Sequence, residues 1–257
     1  MNEEFKISVF CNHIEEIALQ EGITFEEAAR MVRDFGYTGA DVYVTQSSEE
    51  IDILDSLGFK HACCLAEIDL SHGPQDEQVG QALRFMEERG YSQVLLIAGL
   101  LDEGASQAEL EGFRARIIDF GDKAAAHGFQ ALIEDYDNVL SPLKDTAGLD
   151  AIFQKSVSYG HAYDSGNYLF VGEDCLEALG KFLQRIKHVH LKDRISADDM
   201  TCPAVGSGCI PVASVIKALT DAGYDDWYTA EMFFSKQMLS DVRDSFKNIS
   251  AMMEGIK

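Results

Sequence analysis

Residues 186–194 read IKHVHLKDR. If this stretch is a β-strand, its side chains alternate between two faces, with Val189 and Leu191 on one and His188, His190 and Lys192 on the other. Ionisable groups on one face of an otherwise apolar strand need a return for their desolvation. Three further apolar runs carry a carboxylate in the matching place. ALIEDYDN (131–138) ends with Glu134 on the face of Leu132, GHAYDSGN (160–167) with Asp164 on the face of Ala162, and WYTAEMF (227–233) with Glu231 on the face of Thr229. Three carboxylates and an imidazole are a hard oxygen-and-nitrogen donor set, suited to Mn²⁺, Mg²⁺, Co²⁺ or a catalytic Zn²⁺. Gathered in a low-dielectric pocket, the carboxylates would repel one another, and a divalent cation removes that difficulty. Glu134, Asp164, His190 and Glu231 therefore make physical sense as a metal site. Lys192 and Arg194 offer positive charge to substrate oxygens. A structural salt bridge is an equal reading for Lys192 and the stronger one for Arg194. His188, one layer deeper, reads first as an interior histidine with satisfied hydrogen bonds.

Positioning these residues requires several strands that end at one place. The chain alternates short apolar runs with amphipathic stretches throughout. The runs are KISVFCNH (6–13), GADVYV (39–44), KHACCLAEIDL (60–70), QVLLIAGL (93–100), FQALIEDYD (129–137), SYGHAYDSGN (158–167), 186–194 and DWYTAEMF (226–233). Between them lie helical patterns. In TFEEAARMVRDFG (24–36), for example, Phe25, Ala28, Ala29 and Val32 fall at helical spacing, and QDEQVGQALRFMEERG (75–90) stops at Gly90. IPVASVIKALTDAG (210–223) carries a proline in its first turn, a favourable helix opening. Eight strands alternating with eight helices, with short connections, predict parallel βαβ units closed into one (β/α)8 barrel over residues 1–257. A doubly wound open sheet usually has a glycine-rich loop after its first strand, and VFCNHIEE has none. In a barrel the active site lies at the carboxyl ends of the strands, where the four candidate ligands fall. His13 and His72, near the ends of the first and third strands, are further candidates to line the mouth, while His61 and His161 read as structural.

Composition narrows the partners. The formal charge of −23 disfavours nucleic acid and anionic membrane surfaces. No run of about 18 apolar residues is present to span a membrane, and MNEEFKISVF lacks the basic start and apolar region of a signal peptide. The six cysteines show no C-x-x-C pair and no zinc-ribbon spacing, which suits reduced thiols and a cytoplasmic location.

The segments IEDYDN, YDSGN, HVHLKDR, AVGSGCIP and YTAEMF, in this order, resemble the landmarks of the xylose isomerase-like superfamily of sugar isomerases and epimerases. That group also contains tagatose and psicose epimerases, inosose dehydratases, hydroxypyruvate isomerase and endonuclease IV. The resemblance implies one divalent metal, Mn²⁺ before the others, on Glu134, Asp164, His190 and Glu231. It implies that Glu134 and Glu231 also serve as the acid/base pair, one removing a proton beside a carbonyl and the other returning it on the opposite face, through a metal-stabilised enediolate. Such a C–H is weakly acidic, so both a placed carboxylate and an electrophile are needed. Lys192, Asn167, His188 and Arg194 would be the substrate contacts. Asn167 departs from the histidine that several epimerases and endonuclease IV carry there. Strand four ends without a histidine and RISADDMTCPAVGSG contains none, so a three-metal nuclease site is not expected. The expected activity is a sugar or sugar phosphate isomerase/epimerase acting on a small-molecule substrate, in a family where dimers and tetramers are common. An inosose-type dehydratase on the same metal site is the alternative, followed by an inactive sugar-binding barrel.

Overall fold

Eight parallel strands hydrogen-bond in sequence order around a closed barrel, β8 returning to β1, in the computed structural model, which describes residues 5–256. The strands are β1 (Ile7–Phe10), β2 (Gly39–Tyr43), β3 (Lys60–Glu67), β4 (Gln93–Ile97), β5 (Gln130–Glu134), β6 (Tyr159–Asp164), β7 (Ile186–Lys192) and β8 (Tyr228–Glu231). The helices are α1 (Cys11–Glu21), α2 (Phe25–Phe35), α3 (Ser48–Ser56), α4 (Asp76–Arg89), α5 (Gln107–Ala126), α6 (Thr146–Phe153), α7 (Cys175–Phe182), α8 (Val212–Asp221) and α9 (Met238–Ile256). The expected barrel is therefore the observed one. No described helix is long and apolar enough to cross a membrane, and all six cysteines are free.

The strand boundaries follow local chemistry. Outward-facing residues such as Val9, Val94, Ile133, Val189 and Ala230 join the buried faces of the helices in one large apolar layer. Inward-facing Phe10, Cys63, Leu65, Leu95, Leu132 and Ala162 form a separate cluster inside the barrel. Helix starts are fixed by side chains that satisfy otherwise orphaned amides: Thr24 with Glu27 opens α2 and Ser106 with Glu109 opens α5 as reciprocal capping boxes.

Two details correct the sequence expectation. The first strand stops at Phe10 instead of running to His13, and Cys11–Glu21 form a helix, giving nine α-helices among the described residues instead of eight. Buried Cys11, Ile14 and Ile17 recur every three residues and Gly22, at φ 66°, closes the helix. Pro211 stands immediately before α8 and not inside its first turn.

Candidate functional site

β5, β6, β7 and β8 end on Glu134, Asp164, Lys192 and Glu231, and His190 lies two residues before the end of β7. The register sets Asp164 opposite His190, His190 opposite Thr229, and Lys192 opposite Glu231. One ligand atom from each of Glu134, Asp164, His190 and Glu231 lies within 4.8 Å of the others. The Nδ1 of His190 is 2.5 Å from Glu134 Oε1 and 3.4 Å from Glu231 Oε2, and Phe10 packs edge-on against its ring.

Asp164 is fully buried. Its Oδ1 accepts hydrogen bonds from the Gly166 and Asn167 amides at 2.7 and 2.9 Å, which folds the DSGN turn back over the strand end. Gly166 is required there, since a Cβ would sit 2.9 Å from the Lys192 carbonyl oxygen and side chain. The Asp164 Oδ2 faces the site. It has the Lys192 ammonium 3.0 Å away as an ion pair, yet no aligned hydrogen bond. Lys192 Nζ also lies 2.5 Å from Glu231 Oε1 and donates to Asn167 Oδ1 at 2.8 Å. Burial raises the Asp164 carboxyl, but Lys192, His190 and Arg194 outweigh this and hold it below its ordinary value. Glu231 goes the other way. Burial, with repulsion from Asp164 and Glu134, pushes it up to about 8 against the pull of Lys192 and His190. A site that forces a proton onto one of its carboxylates, and leaves a buried anionic oxygen short of hydrogen bonds, is chemically matched to a divalent cation. Glu134, Asp164, His190 and Glu231 are the residues that would hold it.

Glu134, His190 and Glu231 line a cavity of about 600 Å³, with Asp164 buried behind them, and its size is within the range of small-molecule sites. Apolar and aromatic groups, among them Phe10, Tyr43, Leu65, Ile97 and Phe233, form much of its wall. A neighbouring hollow of about 330 Å³ shares Glu67, Ile97, Glu134 and Tyr136 and adds Asp69 and His72, so His72 lines this annex and not the main cavity.

The expected substrate contacts separate into two groups. Lys192 and Asn167 face the cavity. Arg194 lines it too, but its guanidinium is occupied: it pairs with Asp137, donates to the Met200 carbonyl at 2.6 Å and to Asn167 Oδ1 at 3.0 Å. That favours its reading as a salt bridge, holding the loop after β7 against the end of β5. His188 does not reach the cavity. Fully buried one layer below, its Nε2 lies 2.7 Å from Asp41 Oδ2; the interior reading is the one the geometry favours. Sequence reasoning passed over Asp41, Tyr43 and Glu67 altogether, and also Asp193. The Asp193 carboxylate accepts from the amides of Arg194, Gly206, Gly208 and Ile210. It is the nucleus about which AVGSGCIP folds. Gly208 has no alternative, because a Cβ would meet the Arg194 carbonyl oxygen at 2.2 Å.

His13 and His161 are buried and neutral. His13 Nε2 accepts from the Met232 amide at 2.9 Å, and burial, aided by the Lys192 charge, lowers its pKa to about 3. His161 donates from Nδ1 to the Ile133 carbonyl and accepts the Tyr168 hydroxyl, and burial lowers it to about 4 despite that carbonyl. The unfolded chain titrates these imidazoles near 6.5. Between that value and the folded ones the unfolded state binds more protons, so stability is complete above about pH 6.5 and falls as the pH drops. Each histidine should cost about 2 kcal/mol between pH 7 and pH 5. Urea midpoints of the wild type and His161→Gln at both pH values check this. The variant should lose about 2 kcal/mol less of its own stability over the interval, and an unchanged pH dependence would refute the assignment.

Comparison with known proteins agrees with this fold. Residues 53–252 match the xylose isomerase-like TIM barrel family. The chain is 24% identical to an inosose dehydratase of Lacticaseibacillus casei over 256 residues, covering 83% of each protein. It is 32% identical to an inosose dehydratase of Geobacillus thermodenitrificans over 133 residues, a match spanning only 43% of that protein and 43% of this chain. Among solved structures, a D-allulose 3-epimerase from Methylomonas sp. superposes with a TM-score of 0.72 at 14% identity, covering 97% of this chain and 98% of the epimerase. With a closed eightfold barrel and a family match over most of its length, this chain belongs to the xylose isomerase-like TIM barrel family.

Proposed function

We propose that this barrel is a divalent-metal-dependent isomerase or epimerase of small keto sugars or polyols, working by proton transfer at the carbon beside a carbonyl. The observation that carries the reading is the convergence of Glu134, Asp164, His190 and Glu231 at the strand ends, with both glutamates lining the cavity and so available to substrate. The bound cation would act as a Lewis acid on substrate oxygens and so acidify the neighbouring C–H. The chain's own residues do the rest. Glu134, whose side chain retains 12% exposure, takes or returns a proton on one face of the substrate, and Glu231 does so on the other. Lys192 and Asn167 present donors to substrate hydroxyl or carbonyl oxygens, and the aromatic wall excludes water from the reacting carbon.

A second reading uses the same first step. Both inosose dehydratase relatives favour dehydration, in which loss of a β-hydroxyl follows proton removal in place of reprotonation. The two are separated by incubating the manganese-loaded protein with ketoses and with a cyclic keto-polyol in D₂O. Isomerase or epimerase chemistry gives solvent deuterium at the carbon beside the carbonyl together with an epimer or aldose. Dehydration gives an ultraviolet-absorbing unsaturated ketone and no epimer. Absence of exchange, epimer and unsaturated product with every sugar would overturn both in favour of a binding barrel.

A further inference from the structure

Below the site lies a polar layer that neither packing nor the proton chemistry explains. It draws one residue from each of five strands: Ser8, Asp41, Gln93, His188 and Thr229, all buried. Gln93 Nε2 donates to the Ala62 carbonyl at 2.7 Å and faces His188 Nδ1 at 3.4 Å. An amide N–H can only donate, so Nδ1 of His188 is the acceptor and its Nε2 carries the proton. That proton is directed at Asp41 Oδ2, 2.7 Å away. Thr229 Oγ1 donates to Asp41 Oδ1 at 3.0 Å and lies 2.6 Å from Ser8 Oγ. The chain of donors thus ends on one carboxylate.

Asp41 has one further partner. Its Oδ2 lies 3.3 Å from Nε2 of His190, the nitrogen opposite the one that faces Glu134 and Glu231. The pairing of β2 with β3 is irregular between Ala40 and Asp41, so that Asp41 pairs with Cys63 and Ala62 is skipped. Bulges of this kind re-aim side chains beside functional sites.

We propose that Asp41 is a positioning residue: it holds His190 as the Nε2–H tautomer, so that the Nδ1 lone pair is presented to the metal, and thereby sets metal affinity. The proposal rests on the metal-dependent reading above. The logic is general: a histidine ligand usually donates its second N–H to a carboxylate, which fixes the ring and raises its basicity, and loss of that partner weakens metal binding about 10- to 100-fold. His188 and Thr229, hydrogen-bonded to the carboxylate, keep it oriented, whereas Ser8 touches only Thr229.

The test is metal binding to the full chain, not turnover. Mn²⁺ and Co²⁺ affinities are measured by calorimetry for wild type, Asp41→Asn and Ser8→Ala, with the visible spectrum of the Co²⁺ form as a second readout. Asp41→Asn should bind about 10- to 100-fold more weakly with an altered Co²⁺ spectrum. Ser8→Ala loses a buried hydrogen bond in the same layer and should melt lower, yet keep its affinity and spectrum. Equal affinity and spectrum in Asp41→Asn would overturn the proposal, as would an equal loss in Ser8→Ala. If wild type binds neither ion, the metal-dependent reading itself falls, and the proposal with it. Should Asp41→Asn fail to fold, ¹⁵N NMR of labelled histidine in the Zn²⁺-loaded wild type decides. His190, identified by difference from His190→Gln, should show a protonated Nε2, and a protonated Nδ1 would refute the assignment.

Discussion

Glu134→Gln and Glu231→Gln should each lower turnover by about a thousandfold or more, within the range expected for removing a placed general acid or base. Glutamine keeps one carbonyl oxygen as a weak metal ligand and nearly the same shape, so the main loss is the group that moves the proton. Metal content measured beside turnover separates lost ligation from lost proton transfer. The two variants also differ in a way that plain inactivation would not produce. In an epimerase each glutamate serves one face of the substrate. Glu134→Gln should therefore abolish exchange from one epimer, while from the other Glu231 still removes the proton and returns solvent deuterium without inversion. Glu231→Gln should show the mirror pattern. If either variant retains more than about a tenth of wild-type turnover, its glutamate is not the acid or base of the reaction.

Lys192→Met should lower the stability of the chelator-treated protein by about 3 kcal/mol, the lower end of what breaking a buried ion pair costs. The ammonium is almost wholly buried between Asp164 and Glu231, and methionine fills its stem without its charge. Glu231, raised to about 8 by burial and its anionic neighbours, already carries a proton near neutral pH, which caps the loss. For a chain of this size the expected fall in Tm is about 6–12 °C. Manganese should narrow the gap between variant and wild type, because a bound cation supplies the missing positive charge and stabilises only the folded state. Thermal melts with chelator and with added Mn²⁺ measure both quantities. A variant that melts with wild type in chelator would show that Lys192 is not needed to balance the two carboxylates.

The barrel was legible because its signal is repetitive. Each strand is a short apolar run and each helix an amphipathic stretch with a glycine or a cap nearby, so an error in one unit leaves the count of strands intact. The error that did occur is instructive. KISVFCNH is apolar enough to read as one strand, yet buried Cys11, Ile14 and Ile17 already follow a helical spacing that the strand reading hid. Glu134, Asp164, His190 and Glu231 were legible for a different reason. A carboxylate or imidazole at the end of an apolar run stands out, and strand alternation then gives its face. Asp41 was not legible. In GADVYV it is one polar residue among apolar ones, and the partner that explains it, His188, lies 147 residues away. Ser8 and Gln93 share that difficulty, since each looks like an ordinary strand residue until register brings the layer together. Arg194 had two readings in sequence, and only its contacts with Asp137, Met200 and Asn167 favour one of them.

Glu134, Asp164, Lys192 and Glu231 are the terminal residues of their strands, whereas Tyr136, Thr201, Phe234 and Lys236 reach the same cavity from the segments beyond. Two kinds of inheritance are thereby stored in separate stretches of chain. Substitutions in the connecting segments can change which molecule is accepted, a little at a time, while the charged cluster at the strand ends passes unaltered from one descendant to the next. Substitutions at the strand termini have no such gradual route, because those side chains are ion-paired with one another and with His190 inside the barrel. A lineage built on this scaffold can therefore vary the molecule it accepts more readily than the charged cluster at its strand ends.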